Sequence, residues 1–172
     1  VKKNAKTALV FIVVVLLIYG VAWMEQNGMS NKYYKDAMAS FEKGDYVIAL
    51  KGKKVEKEDG SGYEFMGGFQ QVNDIWSSTY AFPKPSAYKK SKDMADEIIK
   101  TKIDIKTGTD MLRQYLQLDK GYLGEVMLSV ADQYLKADDK ENAIETYKTI
   151  MEAFPNDADT LNLAKKKLKA IQ

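Results

Sequence analysis

Eighteen consecutive residues, Thr7 to Met24, carry no charge. As a helix rising about 1.5 Å per residue they cover roughly 27 Å, close to the hydrocarbon thickness of a bilayer. A chain in lipid must satisfy its own backbone polar groups, and a helix does so even where Val and Ile are mediocre helix formers in water. Tyr19 and Trp23 stand near one end, where amphipathic rings favour the headgroup layer. The run is apolar on every face, which argues against a buried core helix. A cleaved signal peptide would share the basic start, the apolar run and the small residues Gly20 and Ala22. We read residues 7–24 as a retained transmembrane helix in contact with membrane lipid.

Charge sets the expected orientation. Lys2, Lys3 and Lys6 precede the run with no acid among them, and Glu25 follows it directly. The positive-inside rule then places residues 1–6 in the cytoplasm as a basic tail and residues 25–172 outside it. This is the layout of a single-pass inner (cytoplasmic) membrane protein with an extracytoplasmic C-terminal domain. Of 26 basic residues three precede the run, leaving 23 against 24 acids, so the outer domain is close to neutral. Nothing in that balance points to nucleic acid.

Two zeros narrow the chemistry. Without Cys there is no disulfide, thiolate metal site or lipoprotein anchor. Without His there is no imidazole ligand, and Ser–His and Cys–His nucleophile pairs are impossible. We expect no cofactor and no metal.

Residues 25–172 read as almost entirely helical. Ser30 or Asn31 is expected to cap a helix through Ala37 and Phe41, and Gly44-Asp45 to turn into a second helix at Tyr46. Lys51–Asp59 reads as its solvated, charged end, broken by Gly60-Ser61-Gly62. Phe69, Val72, Ile75, Trp76 and Thr79 recur at helical spacing, and Pro83 and Pro85 end that segment. Ser86 is placed as the cap of a helix through Ile99. Lys102–Lys106 alternates like a strand but has nothing to pair with, so a loop or frayed helix end is favoured. Thr107-Gly108-Thr109 leads into Met111 and Tyr115. Three strong apolar stripes follow, Leu123–Tyr134, Ala143–Phe154 and Leu161–Ile171, separated by Asp138-Asp139 and Pro155-Asn156-Asp157. Such short connections require antiparallel neighbours.

Within Leu123–Pro155 the residues Ala131, Tyr134, Asp138-Asp139, Ala143-Ile144, Tyr147 and Pro155 stand at the intervals of a tetratricopeptide repeat (TPR), which this stretch resembles. Asp138 replaces the family's turn glycine and Ile150 a small residue. Leu161–Ile171 looks like the solvating helix that closes such arrays. A weaker echo lies at Ala37, Gly44-Asp45-Tyr46 and Ala49-Leu50, and Ala81-Phe82-Pro83 recurs as Ala153-Phe154-Pro155. The resemblance implies an all-α chain: one transmembrane helix, then a TPR-like array of antiparallel hairpins. The layout is also similar to the ancillary TPR subunit of the bacterial Sec translocon. By that resemblance the binding face would include Glu125, Leu128, Asp132, Leu135 and Lys136. In the span, Tyr19 and Gly20 are the expected helix–helix contact, since the backbone can approach closely at Gly20.

A search for catalytic chemistry returns little. Asp93, Asp96 and Glu97 lie among lysines, the usual pattern of a solvated helix face. Asp104-x-x-Thr107-Gly108-Thr109-Asp110 has oxygen donors but not the alternating acids and terminal Glu of an EF-hand. Gly67-Gly68 belongs to no phosphate-binding loop and reads as a turn or close-packing site. Glu64, between Gly62-Tyr63 and Phe65-Met66-Gly67, is the only loose match to a lytic glycosidase glutamate. Trp76, Tyr80 and Phe82 are the aromatic group most suggestive of an interface. The expected function is therefore a non-catalytic membrane-anchored scaffold or accessory subunit that binds other subunits of a membrane complex. A chaperone-like accessory of secretion is the alternative, and a carboxylate-based lytic enzyme or a pigment-carrying subunit is further away.

Overall fold

The computed structural model describes residues 2–57 and 59–171. Among them are eight helices and one two-stranded hairpin. The first helix, α1 (Lys2–Glu42), runs without a break for 41 residues, about 61 Å at 1.5 Å per residue. Its first part is long and apolar enough to cross a membrane. No cap forms at Ser30 or Asn31, and the helix does not restart there. Residues 25–31 contain no proline to stop it, and the Ser30 hydroxyl donates back to the Asn27 carbonyl at 3.3 Å. The same helix therefore serves as apolar rod and as core element. Its second half buries Ser30, Ala37 and Ser40, small residues that let neighbouring chain come close.

After Gly44, α2 (Tyr46–Lys51) is short and ends at Gly52. The expected solvated tail is instead a β-hairpin. Strand β1 (Lys53–Glu56) pairs antiparallel with β2 (Tyr63–Met66), Lys53 opposite Met66 and Val55 opposite Glu64. Neither Lys-Lys-Val-Glu nor Tyr-Glu-Phe-Met alternates cleanly and both are mostly exposed, so no half-buried strand pattern marks them in the sequence. The hairpin leans on α1 through Tyr33 and Phe65, whose rings meet edge to face at 6.2 Å. Lys51 is the second correction, being buried and not solvated.

Helix α3 (Phe69–Trp76) follows Gly67-Gly68 and stops before Thr79, where the Ser77 hydroxyl donates to the Asp74 carbonyl. Helix α4 (Ser86–Thr101) has Pro85, not Ser86, in its capping position. Lys102–Asp104 is a loop that plugs the core with Ile103. Helix α5 (Ile105–Tyr115) starts before Thr107 because the Asp104 carboxylate accepts from the Thr107 N–H at 2.7 Å. That carboxylate, the first donor of the calcium-like motif, serves as a helix cap.

The last three helices are α6 (Leu123–Lys136), α7 (Lys140–Ala153) and α8 (Ala158–Ile171). Asp139 caps α7 and Asp157 caps α8 through their side chains. Lys120, just before α6, donates to the carbonyl of Ala153 at the end of α7, so those helices run antiparallel. Gly124 near the start of α6 lies against Thr160 near the start of α8, so these two run the same way. Asp138 takes φ 59, the left-handed conformation that a glycine adopts most readily.

One core joins all eight helices, with Leu50, Phe69, Ile98, Leu123, Val126, Val130, Tyr147 and Ile150 fully buried within it. A smaller cluster of Val72, Trp76 and Ala87 sits against Trp23 and Tyr33 of α1. Ala131 is fully buried in α6, whereas Ala137 is exposed beyond the helix end. Ala131→Leu should therefore cost about 1–3 kcal/mol through overpacking. Ala137→Leu should cost almost nothing, and equal denaturant midpoints for the two variants would contradict this packing.

Candidate functional site

Helices α4, α6 and α8 leave a concave groove of about 350 Å³ between them. Two hydrogen bonds fix its floor. The Ser129 hydroxyl donates to the Ile99 carbonyl at 2.9 Å, and the Gln133 amide to the Ile103 carbonyl at 2.8 Å. The first satisfies a carbonyl in the last turn of α4 that the helix itself cannot and the second a carbonyl of the loop that follows, so together they lock α6 against that terminus. Ile99 and Leu128 supply buried apolar floor, and Leu163 on α8 stands at the wall, 42% exposed.

Four of the five residues singled out on α6 line this groove: Glu125, Leu128, Asp132 and Lys136. Their spacing of three to four residues puts them on one side of α6. Leu135 does not line it and packs half-buried against the core. Asp132 joins three helices: it accepts from Lys167 Nζ on α8 at 2.6 and 2.7 Å and from the Tyr147 hydroxyl on α7 at 2.9 Å. Burial first, and then the adjacent Asp132 carboxylate, push the Tyr147 phenol above its ordinary pKa, so it stays a donor.

The two ends of the groove differ in charge. Glu125 and Asp96 lie toward one end. Glu125 remains solvent-accessible but is recessed among its neighbours; that recess first, and then the charges of Asp157 and Asp96, hold its carboxyl above the usual carboxylate range. Lys136 lies 11 residues further along α6, about 16 Å away at 1.5 Å per residue. Among the described residues neither Glu125 nor Lys136 forms an ion pair. Asp96 pairs with Lys100 across one turn at 2.9 Å.

The groove residues contributed by α4 and α8 went unread in the sequence. Leu163 and Lys167 stand at an i,i+4 spacing off the apolar stripe Leu161, Ala164, Leu168, which was the available signal. Three consecutive lysines at 165–167 concealed it. A second concavity of about 250 Å³ adjoins the first through Glu125 and is lined by Gln70, Asn73, Asp74 and Tyr122. Asn73 donates to the Tyr122 hydroxyl there. Burial raises the Asp74 carboxyl above its ordinary value.

Beneath that second concavity lies Lys51. Its ammonium donates to Gln70 Oε1 at 2.7 Å and to the carbonyls of Asp119 and Gly121 at 3.0 and 2.9 Å. It also pairs with the Asp119 carboxylate at 2.9 Å. This cation ties α2 and α3 to the loop that precedes α6.

The remaining predicted contact, Tyr19 and Gly20, lies on the exposed half of α1. Gly20 is open, with no atom near the position a Cβ would take. The Tyr19 hydroxyl is engaged within the chain, by Tyr80 and Phe82.

Comparison of the chain with models of known protein families, with characterised proteins and with solved structures gives no match in any of the three.

Proposed function

We propose that this protein is a non-catalytic, membrane-anchored scaffold. In this reading α1 crosses the bilayer and the groove between α4, α6 and α8 receives a segment of a partner protein. The observation that carries the proposal is the make-up of the groove: an apolar strip of Ile99, Leu128 and Leu163 between an acidic and a basic end. Its length of about 16 Å accommodates about five residues of extended chain. A fitting segment has apolar residues in its middle, a basic residue toward Glu125 and an acidic one toward Lys136. Two contact sites in one chain, span and groove, raise the effective concentration of the second, so each can be weak alone.

The TPR-like assignment belongs to the same proposal. It is supported by the antiparallel α6–α7 pair, by α8 running alongside α6, and by the fully buried Ala131 and Ala143. In such an array each hairpin buries one face against the next and leaves a concave side for ligands. An accessory-subunit role in a membrane complex follows from that geometry and from the apolar exterior of residues 7–24.

A photoreactive side chain at Leu163 of the full-length protein, in its native membranes, should cross-link to another protein, and one at exposed Lys106 should not. A full-length protein that purifies alone from mild detergent, gives no such cross-link and shows turnover would favour an enzyme instead. The orientation is part of the proposal: residues 1–6 cytoplasmic, residues 25–172 on the other side. A cysteine at exposed Ser61 should react with a membrane-impermeant maleimide in intact cells or spheroplasts. Labelling only after lysis would reverse the topology.

A further inference from the structure

The segment between α3 and α4 carries two of the most exposed rings in the chain, Tyr80 at 87% and Phe82 at 72%. Single exposed rings are ordinary; the position of these two is not. The Tyr19 hydroxyl accepts from the Phe82 N–H at 3.0 Å, and its proton lies between the carbonyls of Tyr80 and Phe82. One turn further along α1, the Trp23 indole donates to the Pro83 carbonyl at 2.8 Å, and its ring sits 5.8 Å from that of Trp76. The loop is thus strapped along α1, with Phe82 level with Tyr19.

Tyr19 lies inside the uncharged run, five residues before Met24, or about 7.5 Å along the axis. A bilayer core needs roughly 20 helical residues, and residues 7–18 alone would cover only about 18 Å. A bilayer around this run therefore reaches the level of Tyr19, and so the level of the loop. The backbone suits such a place. The N–H groups of Tyr80, Ala81 and Phe82 and the Pro83 carbonyl have partners within the chain, and the carbonyls of Tyr80 and Phe82 share the one Tyr19 hydroxyl proton. Irregular backbone needs this where water is scarce. The loop lies on the side of α1 that carries Tyr19, Ala22 and Trp23, which line one concavity with Ala81, and Val15, one turn below Tyr19, is exposed. Lys84 follows at the outer end, exposed, with its ammonium over the Tyr88 ring at 4.6 Å.

We propose that residues 77–85 form a second, non-spanning lipid contact, with the Tyr80 and Phe82 rings in the interfacial layer of the bilayer around α1. Lys84 then stands at the level of the lipid phosphates. The proposal rests on α1 crossing the membrane but is independent of what the groove binds.

The chain has no cysteine, so single sites can be spin-labelled without background. Phe82→Cys, Ser61→Cys and Val14→Cys would each be labelled with a nitroxide in the full-length protein. The proteins would be reconstituted in vesicles of phosphatidylcholine and phosphatidylglycerol. The ratio of collisions with oxygen to collisions with a water-soluble nickel chelate reads depth. At position 82 it should be several-fold higher than at 61, and at position 14 higher still. Equal ratios at 82 and 61, with 14 lipid-like, would overturn the proposal and leave the span standing. A water-like label at 14 would remove the span and the proposal together. Shielding at 82 from both probes would mean a protein surface, such as a second copy, covers the rings, and would also overturn it. In the position-82 background, Tyr19→Phe should lower the ratio toward that at 61; an unchanged ratio would refute Tyr19 as the strap that sets the loop's depth.

Discussion

Lys51→Met should destabilise the protein by about 3 kcal/mol, far more than loss of a surface lysine. The side chain of Lys51 is fully buried, and its ammonium is the donor for Gln70 Oε1 and for the carbonyls of Asp119 and Gly121. Methionine fills the same volume but leaves those acceptors without a partner. Removing one member of a buried ion pair costs about 3–5 kcal/mol, and the 40% exposure of Asp119 places this case at the lower end. Denaturant unfolding of the detergent-solubilised protein is the measurement, and a loss below about 1 kcal/mol would show that the network contributes little. Acid should weaken the same site. Burial acts to raise the Asp119 carboxyl, but Lys51, the Gln70 amide and the Gly121 N–H outweigh it and hold it below its ordinary 3.8. A carboxylate depressed by folding contributes fully above its unfolded pKa and loses that contribution as pH falls through the folded value. Asp119→Asn should therefore flatten the pH dependence of stability below about pH 4.

Gly68→Ala should be at least as damaging, about 3 kcal/mol or more, although alanine is the smallest possible change. A Cβ there would sit 2.4 Å from Gly52 N and 2.7 Å from the Leu50 carbonyl oxygen. Both are backbone atoms, so the end of α2 would have to move off the start of α3. The same substitution at Gly28, within α1 and with no atom near the new Cβ, should stabilise by about 0.5–1 kcal/mol. Thermal unfolding of the two variants side by side decides the matter; a shift of the same sign in both would refute the close approach at Gly68.

That contrast also indicates what the sequence could disclose. The uncharged run, the three C-terminal stripes and the breaks between them, where Asp139 and Asp157 cap the next helix, were legible because each is a local pattern with a local cause. Four groove residues could be named because the resemblance to a TPR implies which side of α6 would bind, and their spacing of three to four residues keeps them on one side of the helix. The role of Gly68 was only half legible: Gly67-Gly68 reads as close packing, but that the neighbours are Tyr33 and Gly52 depends on how α1 and α2 return to it. Lys51 could not be found at all, since a lysine at the edge of a charged run has the signature of solvent. Its burial is decided by Asp119 and Gly121, some 70 residues away. The hairpin was missed for a related reason: its strands are short and charged, and pairing across Gly60-Ser61-Gly62 supplies what composition does not.

The unbroken course of α1 has a mechanical consequence. No hinge separates the apolar rod from the helical body, because Glu25–Glu42 continues the same backbone ladder into the core. Those 18 residues form a lever about 27 Å long, and a 10° swing of the rod would carry its far end sideways by about 5 Å. Transmembrane helices lean more in thin bilayers than in thick ones. The body, and the groove with it, would then shift laterally with the local thickness of the membrane, so that lipid composition could set which neighbouring surface the groove faces.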